Sequence, residues 1–345
     1  MIPLPRKALR RVDEYIPGEQ PQTPDFIKLN TNENPYPPSP AVIQTIKNFN
    51  EENARRYPDP LCIRLRQYLS EKFSLNIDQI IIGNGSDEIL RLLTDAYLDE
   101  DDKVAFLNPT YTFFATLAQM REAEIIRFNA IGSDLPIEIA KTSAKMIIIA
   151  NPNPPFGTFY PPEIIARVCS VAKKTLVVID EAYVDFATTN CIPLLKHFKN
   201  LVVTRSLSKS YALAGLRVGF GVGNSAIIKN LFLIKDSYNI NALSQLTALA
   251  ALKDYKYYAE KIEEIKRERT KMRESLIRMG FDVPESQGNF IFAMGKNPLQ
   301  IYTALKERKI LVRYLTFPKL VKGIRISIGT PKQNKKLMKE IKDII

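Results

Sequence analysis

The chain has 345 residues, 45% of them hydrophobic and 25% charged, the balance of a globular protein with room for two domains and a large core. One histidine, His197, and three scattered cysteines, Cys62, Cys169 and Cys191, exclude a His-rich metal site, a zinc motif and a disulfide framework, and suggest reduced thiols in a cytoplasmic protein. The net charge of +12 is uneven, because from Asn241 onward 22 basic residues face 11 acidic ones.

Residues 1–40 are rich in Pro and Asn and read as an extended arm. The start, Met1-Ile-Pro-Leu-Pro-Arg-Lys7, lacks the apolar stretch of a signal peptide, and no apolar run reaches membrane-spanning length. From about residue 80 to 235, short β-branched runs alternate with amphipathic segments. The runs are Ile80-Ile-Ile82, Val104-Ala-Phe-Leu107, Ile125-Ile-Arg-Phe128, Met146-Ile-Ile-Ile-Ala150, Leu176-Val-Val-Ile179, Leu201-Val-Val-Thr204 and Val218-Gly-Phe-Gly-Val222. They predict buried, mostly parallel strands with crossover helices, an α/β fold. Residues 86–98 and 161–174 are intervening helices, the second opening on Pro-Pro-Glu. Residues 242–280 then carry a long helical pattern that breaks at Gly280. A strand over 289–293, a helix over 298–309, strands over 310–313 and 323–328 and a basic final helix follow. The expected division is an arm over 1–30, a large domain over 31–241 and a small α+β domain over 242–345, completed by the arm.

In Lys261-Ile-Glu-Glu-Ile-Lys-Arg-Glu-Arg269 opposite charges alternate at helical spacing, so most of the basic C-terminal third reads as solvated helix faces. A few arginines remain to attract a phosphorylated or acidic small molecule. His197, in Leu194-Leu-Lys-His-Phe-Lys199, has no nucleophile-elbow pattern and reads as a surface helix residue.

The chemistry-bearing residues cluster where strands end, which is where sites form in a parallel sheet. Ser206-Leu-Ser-Lys-Ser210 sets Lys209 in a small polar turn after an apolar run, and Arg217 follows eight residues later. Such a lysine suits a Schiff base with an aldehyde cofactor, and the neighbouring hydroxyls and guanidinium suit a phosphate. Asp180 ends another run, where a carboxylate can hold the proton of a pyridinium nitrogen. In Gly83-Asn-Gly-Ser-Asp-Glu88 a glycine turn meets a helix start whose N–H groups suit a phosphate. Asn151-Pro-Asn-Pro-Pro-Phe-Gly157 could direct an amide at a bound ring, and Tyr111 could stack on its face. Each has a plainer reading: a surface lysine at 209, a helix cap at Asp180 or Ser86, a core ring at Tyr111.

Together these residues resemble the fold-type I, pyridoxal-phosphate-dependent aminotransferases of classes I and II, over nearly the whole chain. Within that family they are most similar to the histidinol-phosphate aminotransferases. The supporting stretches are Lys28-Leu-Asn-Thr-Asn-Glu-Asn-Pro35, Arg56-Tyr-Pro-Asp-Pro60, Gly85-Ser-Asp-Glu88, Asp180-Glu-Ala-Tyr-Val-Asp-Phe186, the Lys209 motif and Arg325-Ile-Ser-Ile-Gly329.

The resemblance implies pyridoxal 5'-phosphate as cofactor and a roster of roles. Lys209 would form the Schiff base and shuttle a proton, Asp180 would pair with the ring nitrogen, and Tyr183 would contact the ring hydroxyl. Ser206, Ser208 and Arg217 would bind the cofactor phosphate with main-chain N–H groups of Ser86 and Asp87, in the turn made by Gly85. Tyr111 would stack on the ring. Tyr57 would reach the cofactor phosphate of a second subunit, which implies a homodimer. Arg313 and Arg325 would bind the substrate anion, with Tyr15 and Asn32 close to the substrate. The substrates would be a phosphorylated amino alcohol, histidinol phosphate, and glutamate or 2-oxoglutarate, with no metal, nucleic acid or membrane involved. The family usually has Asn-Pro-Thr-Gly where this chain has Pro154-Pro-Phe-Gly157, so a proline stands at the ring-hydroxyl asparagine. Asn153, one residue upstream, is expected to take over that contact. The rivals are an aromatic aminotransferase or a phosphoamino-acid decarboxylase of the same fold and, from another class, a non-catalytic basic protein that binds nucleic acid.

Overall fold

In the computed structural model, which describes all residues except 1–3, 11, 13–15, 24, 131–134 and 296, the apolar runs become strands. In chain order these are β1 Ile27–Lys28, β2 Ile80–Gly83, β3 Lys103–Asn108, β4 Glu124–Asn129, β5 Met146–Ala150, β6 Leu176–Asp180, β7 Leu201–Ser206, β8 Gly219–Gly223, β9 Phe290–Met294, β10 Ile310–Leu311, β11 Arg313–Phe317 and β12 Val321–Ser327. The helices are α1 Pro40–Lys47, α2 Glu51–Ala54, α3 Ile63–Phe73, α4 Ser86–Tyr97, α5 Phe113–Met120, α6 Pro162–Val171, α7 Ser225–Ile234, α8 Ala242–Lys253, α9 Tyr255–Arg278, α10 Pro298–Glu307 and α11 Pro331–Ile344.

Seven strands form one sheet in the order β2-β8-β7-β6-β5-β3-β4. All neighbours are parallel except β8, which runs antiparallel to both β2 and β7. Every residue of β5, β6 and β8 is buried, so the sheet is covered on both faces. The two-residue period of a strand divides each run between two cores. Ile147, Ile149, Val177, Ile179 and Val203 join one cluster, while Met146, Ile148, Leu176, Val178 and Val202 join the other. An apolar run without alternation is therefore the sequence of a strand wetted on neither side.

A second sheet, β11-β12-β9, is antiparallel and carries α9, α10 and α11 beside it. The arm joins it. β1 pairs in parallel with β10, and Ser327 N donates to Leu29 O at 2.9 Å. The structure differs from the sequence reading in three places. The strand expected over 310–313 divides at Val312, because β10 pairs with the arm while β11 pairs with β12. The helical stretch 242–280 is two helices meeting at Asp254, with Gly280 at φ +84° ending the second. α8, expected to open the small domain, packs on α1 and α3, and Tyr68 Oη donates to its Leu252 carbonyl at 2.7 Å.

Candidate active site

The carboxyl ends of β5, β6 and β7 open into a cleft of about 310 Å³. Its wall includes Ser86, Asp87, Tyr111, Asp180, Tyr183, Ser206, Ser208, Lys209, Arg217, Arg313 and Arg325, so eleven of the expected site residues converge on one cavity. The topology explains the convergence. β7 ends at Ser206 and β8 begins at Gly219, its register partner, so the Lys209 loop closes an antiparallel return. β8 also aligns Gly219 with Gly83 at the end of β2, which leads into the first turn of α4. A Cβ at Gly219 would lie 2.5 Å from Ser86 N, so only glycine lets these segments meet. Gly85, at φ +77°, turns the chain into α4, and a Cβ there would strike the Arg217 guanidinium at 2.6 Å.

Lys209 Nζ donates to the Thr31 carbonyl at 3.1 Å and sits 5.8 Å from the Tyr183 ring centroid. Asp180 closes β6, 5% exposed, and accepts from Thr204 Oγ1 at 3.1 Å. It has no ion-pair partner among the described residues. Burial pushes its carboxyl up to about 7, and the Asp87 charge adds to the rise, while hydrogen bonds from Thr204 and the Ala182 main chain oppose it. Arg217 Nη2 reaches Asp87 Oδ2 at 3.2 Å and Nη1 reaches Ser208 Oγ at 3.4 Å. Tyr111 Oη donates to the other Asp87 oxygen at 3.3 Å.

Arg313 and Arg325 are direct cross-strand partners between β11 and β12 and both line the cleft. Arg313 donates to the carbonyls of Ile16, at 2.6 Å, and Pro17, at 2.9 Å. Arg325 donates to the Asn30 carbonyl at 2.9 Å and lies 5.7 Å from the Phe290 ring centroid.

Three expected site residues stand elsewhere. Asn153 is fully buried and does not line the cleft. It donates to the Pro109 carbonyl at 3.0 Å and accepts from Thr110 Oγ1 at 2.5 Å, so its amide braces the loop before Tyr111. Asn32 is 1% exposed and also outside the lining, and its side-chain amide is hydrogen-bonded to Tyr183 and Ser327. Tyr57 is 81% exposed and stacks on Tyr238 with centroids 4.4 Å apart, away from its own cleft. A fourth, Tyr15, lies outside the described residues. The sequence reading also missed contributors. Thr31 acts through its carbonyl, which leaves no residue-type signal. Pro17 and Gly18 of the arm enter the lining through folding at long range. Glu181 is fully buried and pairs with Arg205 at 2.8 Å behind the site, and was readable only as the neighbour of Asp180.

The donor set fits pyridoxal phosphate. The buried Asp180 carboxylate has no cation against it among the described residues, and a pyridinium nitrogen would supply one. Two serine hydroxyls, Arg217 and the first N–H groups of a twelve-residue helix surround a place for a phosphate. Lys209 lines the same cavity.

Residues 24–341 match the model of the family described as aminotransferase class I and II. The chain is 42% identical to a histidinol-phosphate aminotransferase of Microcystis aeruginosa, covering 100% of this chain and 99% of that protein. It is 40% identical to a histidinol-phosphate aminotransferase of a Geobacter species, covering 98% of each. Among solved structures it superposes with a TM-score of 0.86 and 22% identity on the Sinorhizobium meliloti histidinol-phosphate aminotransferase in complex with pyridoxal 5'-phosphate, covering 92% of this chain and 91% of that one.

Proposed function

The chain belongs to the class I and II aminotransferases, and we propose that it transfers the amino group of histidinol phosphate to 2-oxoglutarate, giving imidazole acetol phosphate and glutamate, a step of histidine biosynthesis. The observation that carries the choice of substrate is the Arg313–Arg325 pair. Like charges directly opposed across a sheet are destabilising, and both face the cleft that holds Lys209. An anion with several acceptor oxygens, such as a phosphate, turns that repulsion into two charge-assisted contacts.

When bound, pyridoxal phosphate supplies an aldehyde that condenses with amines and a ring that accepts electrons. The protein does the rest. Ser206, Ser208, Arg217 and the α4 N-terminus would hold the cofactor phosphate, and Tyr111 would pack against the ring. Asp180 would keep a proton on the ring nitrogen by supplying its counter-charge. Tyr183 would donate to the ring oxygen. Lys209 Nζ would be the amine that condenses with the aldehyde, and would take up and return the proton that moves during transfer.

Exposed Tyr57, outside its own cleft, supports a homodimer in which each copy completes the other's site. Three buried free thiols support a cytoplasmic enzyme. No helix among the described residues is long and apolar enough to cross a membrane. The test is product analysis with 2-oxoglutarate and, in turn, histidinol phosphate, phenylalanine and phosphothreonine. Glutamate formed fastest with histidinol phosphate is expected. Carbon dioxide without glutamate, or a preference for phenylalanine, would overturn the assignment.

A further inference from the structure

We propose that Asn32 is a positioning residue that aims the Tyr183 hydroxyl into the cleft, in place of the amide contact that Pro154 has removed. The proposal rests on pyridoxal phosphate occupying the cleft. Two observations meet here. First, the wall between residues 151 and 157 offers no amide to the cleft. Pro154 and Pro155 line it, and proline has no N–H. The Asn151 amide is used by Tyr160 and Cys191, and the Asn153 amide by Thr110 and Pro109. A cofactor oxygen at that wall depends on Tyr183.

Second, Tyr183 is held at both ends. Phe290 packs against its ring edge-on, with centroids 4.9 Å apart. Asn32 Nδ2 donates to its Oη at 3.0 Å. A hydroxyl that accepts at that position carries its own hydrogen elsewhere, and Tyr183 lines the cleft. The Asn32 amide is itself fixed. Asn32 N donates to Ser327 Oγ at 2.8 Å, and that hydroxyl donates back to Asn32 Oδ1 at 3.0 Å, which leaves Nδ2 for Tyr183. Asn289 Nδ2 donates to the Asn32 carbonyl at 2.9 Å. The backbone of Asn32 is left-handed, φ +55°, a conformation asparagine tolerates better than most residues. Ser327 lies two residues beyond Arg325 on β12, on the same side of the strand. The small sheet that presents the substrate arginine thus also sets the Tyr183 proton.

The test is the visible absorbance of the holoenzyme against pH, with the melting temperature beside it. Tyr183 donating to the ring oxygen favours its anionic form, so loss of the donor raises the titration midpoint. The near-isosteric Asn32→Asp turns an amide donor into an acceptor that draws the Tyr183 proton away, and should raise the midpoint by about one pH unit or more. Asn32→Ala should raise it less. Tyr183→Phe should raise it too, and adding Asn32→Ala to Tyr183→Phe should move it no further. Glu33, Asp87, Asp180, Lys209, Arg217, Arg313 and Arg325, the charged groups sharing the cleft with Tyr183, are unchanged in every variant. An unmoved midpoint in both Asn32 variants, or an equal shift by Asn32→Ala without the Tyr183 hydroxyl, would leave Asn32 a structural tie only. A wild-type protein that takes up no cofactor colour would overturn the reading of the cleft and this proposal with it, whereas colour with unmoved midpoints would overturn this proposal alone.

Discussion

At one end of the cleft Arg217 meets a carboxylate, Asp87 at 3.2 Å, beside two serines and the first turn of α4. At the other end Arg313 donates to two main-chain carbonyls of the arm, and Arg325, its cross-strand partner, to a third at Asn30. A carbonyl accepts a hydrogen bond without cancelling charge, whereas Asp87 cancels much of the charge on Arg217. Under the proposed function, the first end would therefore grip a phosphate through many neutral donors on the large sheet and α4. The second would offer an anion the Arg313 guanidinium, which leaves two neutral carbonyls of the arm to meet it. The first construction suits a resident group and the second a ligand exchanged at every turnover. The difference teaches that number and rigidity of donors, not the count of arginines, separates the two.

Lys209 lines the cleft between the two ends, so on the proposed function its loss should have the largest effect. Lys209→Ala should fold and should lose turnover by more than about a thousandfold, because anchor and proton carrier go together. Borohydride reduction of the wild type followed by peptide mapping checks the assignment. A label on another lysine would refute it, and with it the idea that the two ends address one reacting centre.

Asp180 sharpens the contrast from the cofactor side. In the cofactor-free protein its carboxyl is raised from 3.8 to about 7 by burial and by the Asp87 charge. Between those values the folded state holds a proton that the unfolded state has released. Its contribution to stability is therefore full below about pH 4 and is lost progressively as pH rises to about 7. The loss amounts to at most about 4 kcal/mol, since each pH unit between the two values is worth about 1.4 kcal/mol. Asp180→Asn should remove this slope, raising the melting temperature of cofactor-free protein at pH 8 more than at pH 5, while slowing transamination by orders of magnitude. Parallel melting curves for the two proteins across pH would show that the carboxylate has another counter-charge.

A crossed pair of arginine variants tests the comparison directly. Arg217→Ala should weaken cofactor binding about tenfold, the low end for a charge-assisted contact because the side chain is 44% exposed. At saturating cofactor it should leave the Michaelis constant for histidinol phosphate nearly unchanged. Arg313→Ala should do the opposite. It should raise that constant roughly ten- to a hundredfold, from about 1.5–3 kcal/mol, without weakening the cofactor. Phenylalanine, which has no phosphate, should suffer less. Equal effects of both variants on both ligands would break the division into a resident and an exchanging end.

The large sheet was legible because its strands are buried on both faces, so uninterrupted apolar runs such as Met146–Ala150 announce themselves. That Lys209, Asp180 and Arg217 meet at one cleft was legible too, since Asp180 ends β6 and the other two lie in the loop from β7 to β8. Asn32 and Asn153 were not. Both belong to recognisable stretches, yet an amide has donor and acceptor faces that long-range neighbours compete for, and here Tyr183 with Ser327, and Thr110 with Pro109, won them. The arm's part was hidden for a similar reason. Ile16 and Pro17 reach Arg313 through carbonyls that every residue carries.

Tyr57 offers the smallest effect and the remaining test of the cofactor end. Its ring stacks on Tyr238 at an interplanar angle of 19°, and Tyr57→Phe keeps that stack while deleting the hydroxyl. If the hydroxyl contacts the cofactor phosphate of a second subunit, its loss should weaken cofactor binding several-fold, about 1 kcal/mol, with little change in melting temperature. Mixing Tyr57→Phe with Lys209→Ala chains at limiting cofactor then separates the two subunits. In a mixed dimer the site with intact Lys209 sits on the Tyr57→Phe chain and takes its Tyr57 from the Lys209→Ala chain, so that site is wild type in both respects. Activity should rise above the sum of the separate preparations, in proportion to the heterodimer measured with differently tagged chains. Strict additivity, with subunit exchange demonstrated, would assign Tyr57 to its own subunit and leave the cofactor phosphate to Ser206, Ser208, Arg217 and the α4 N-terminus alone.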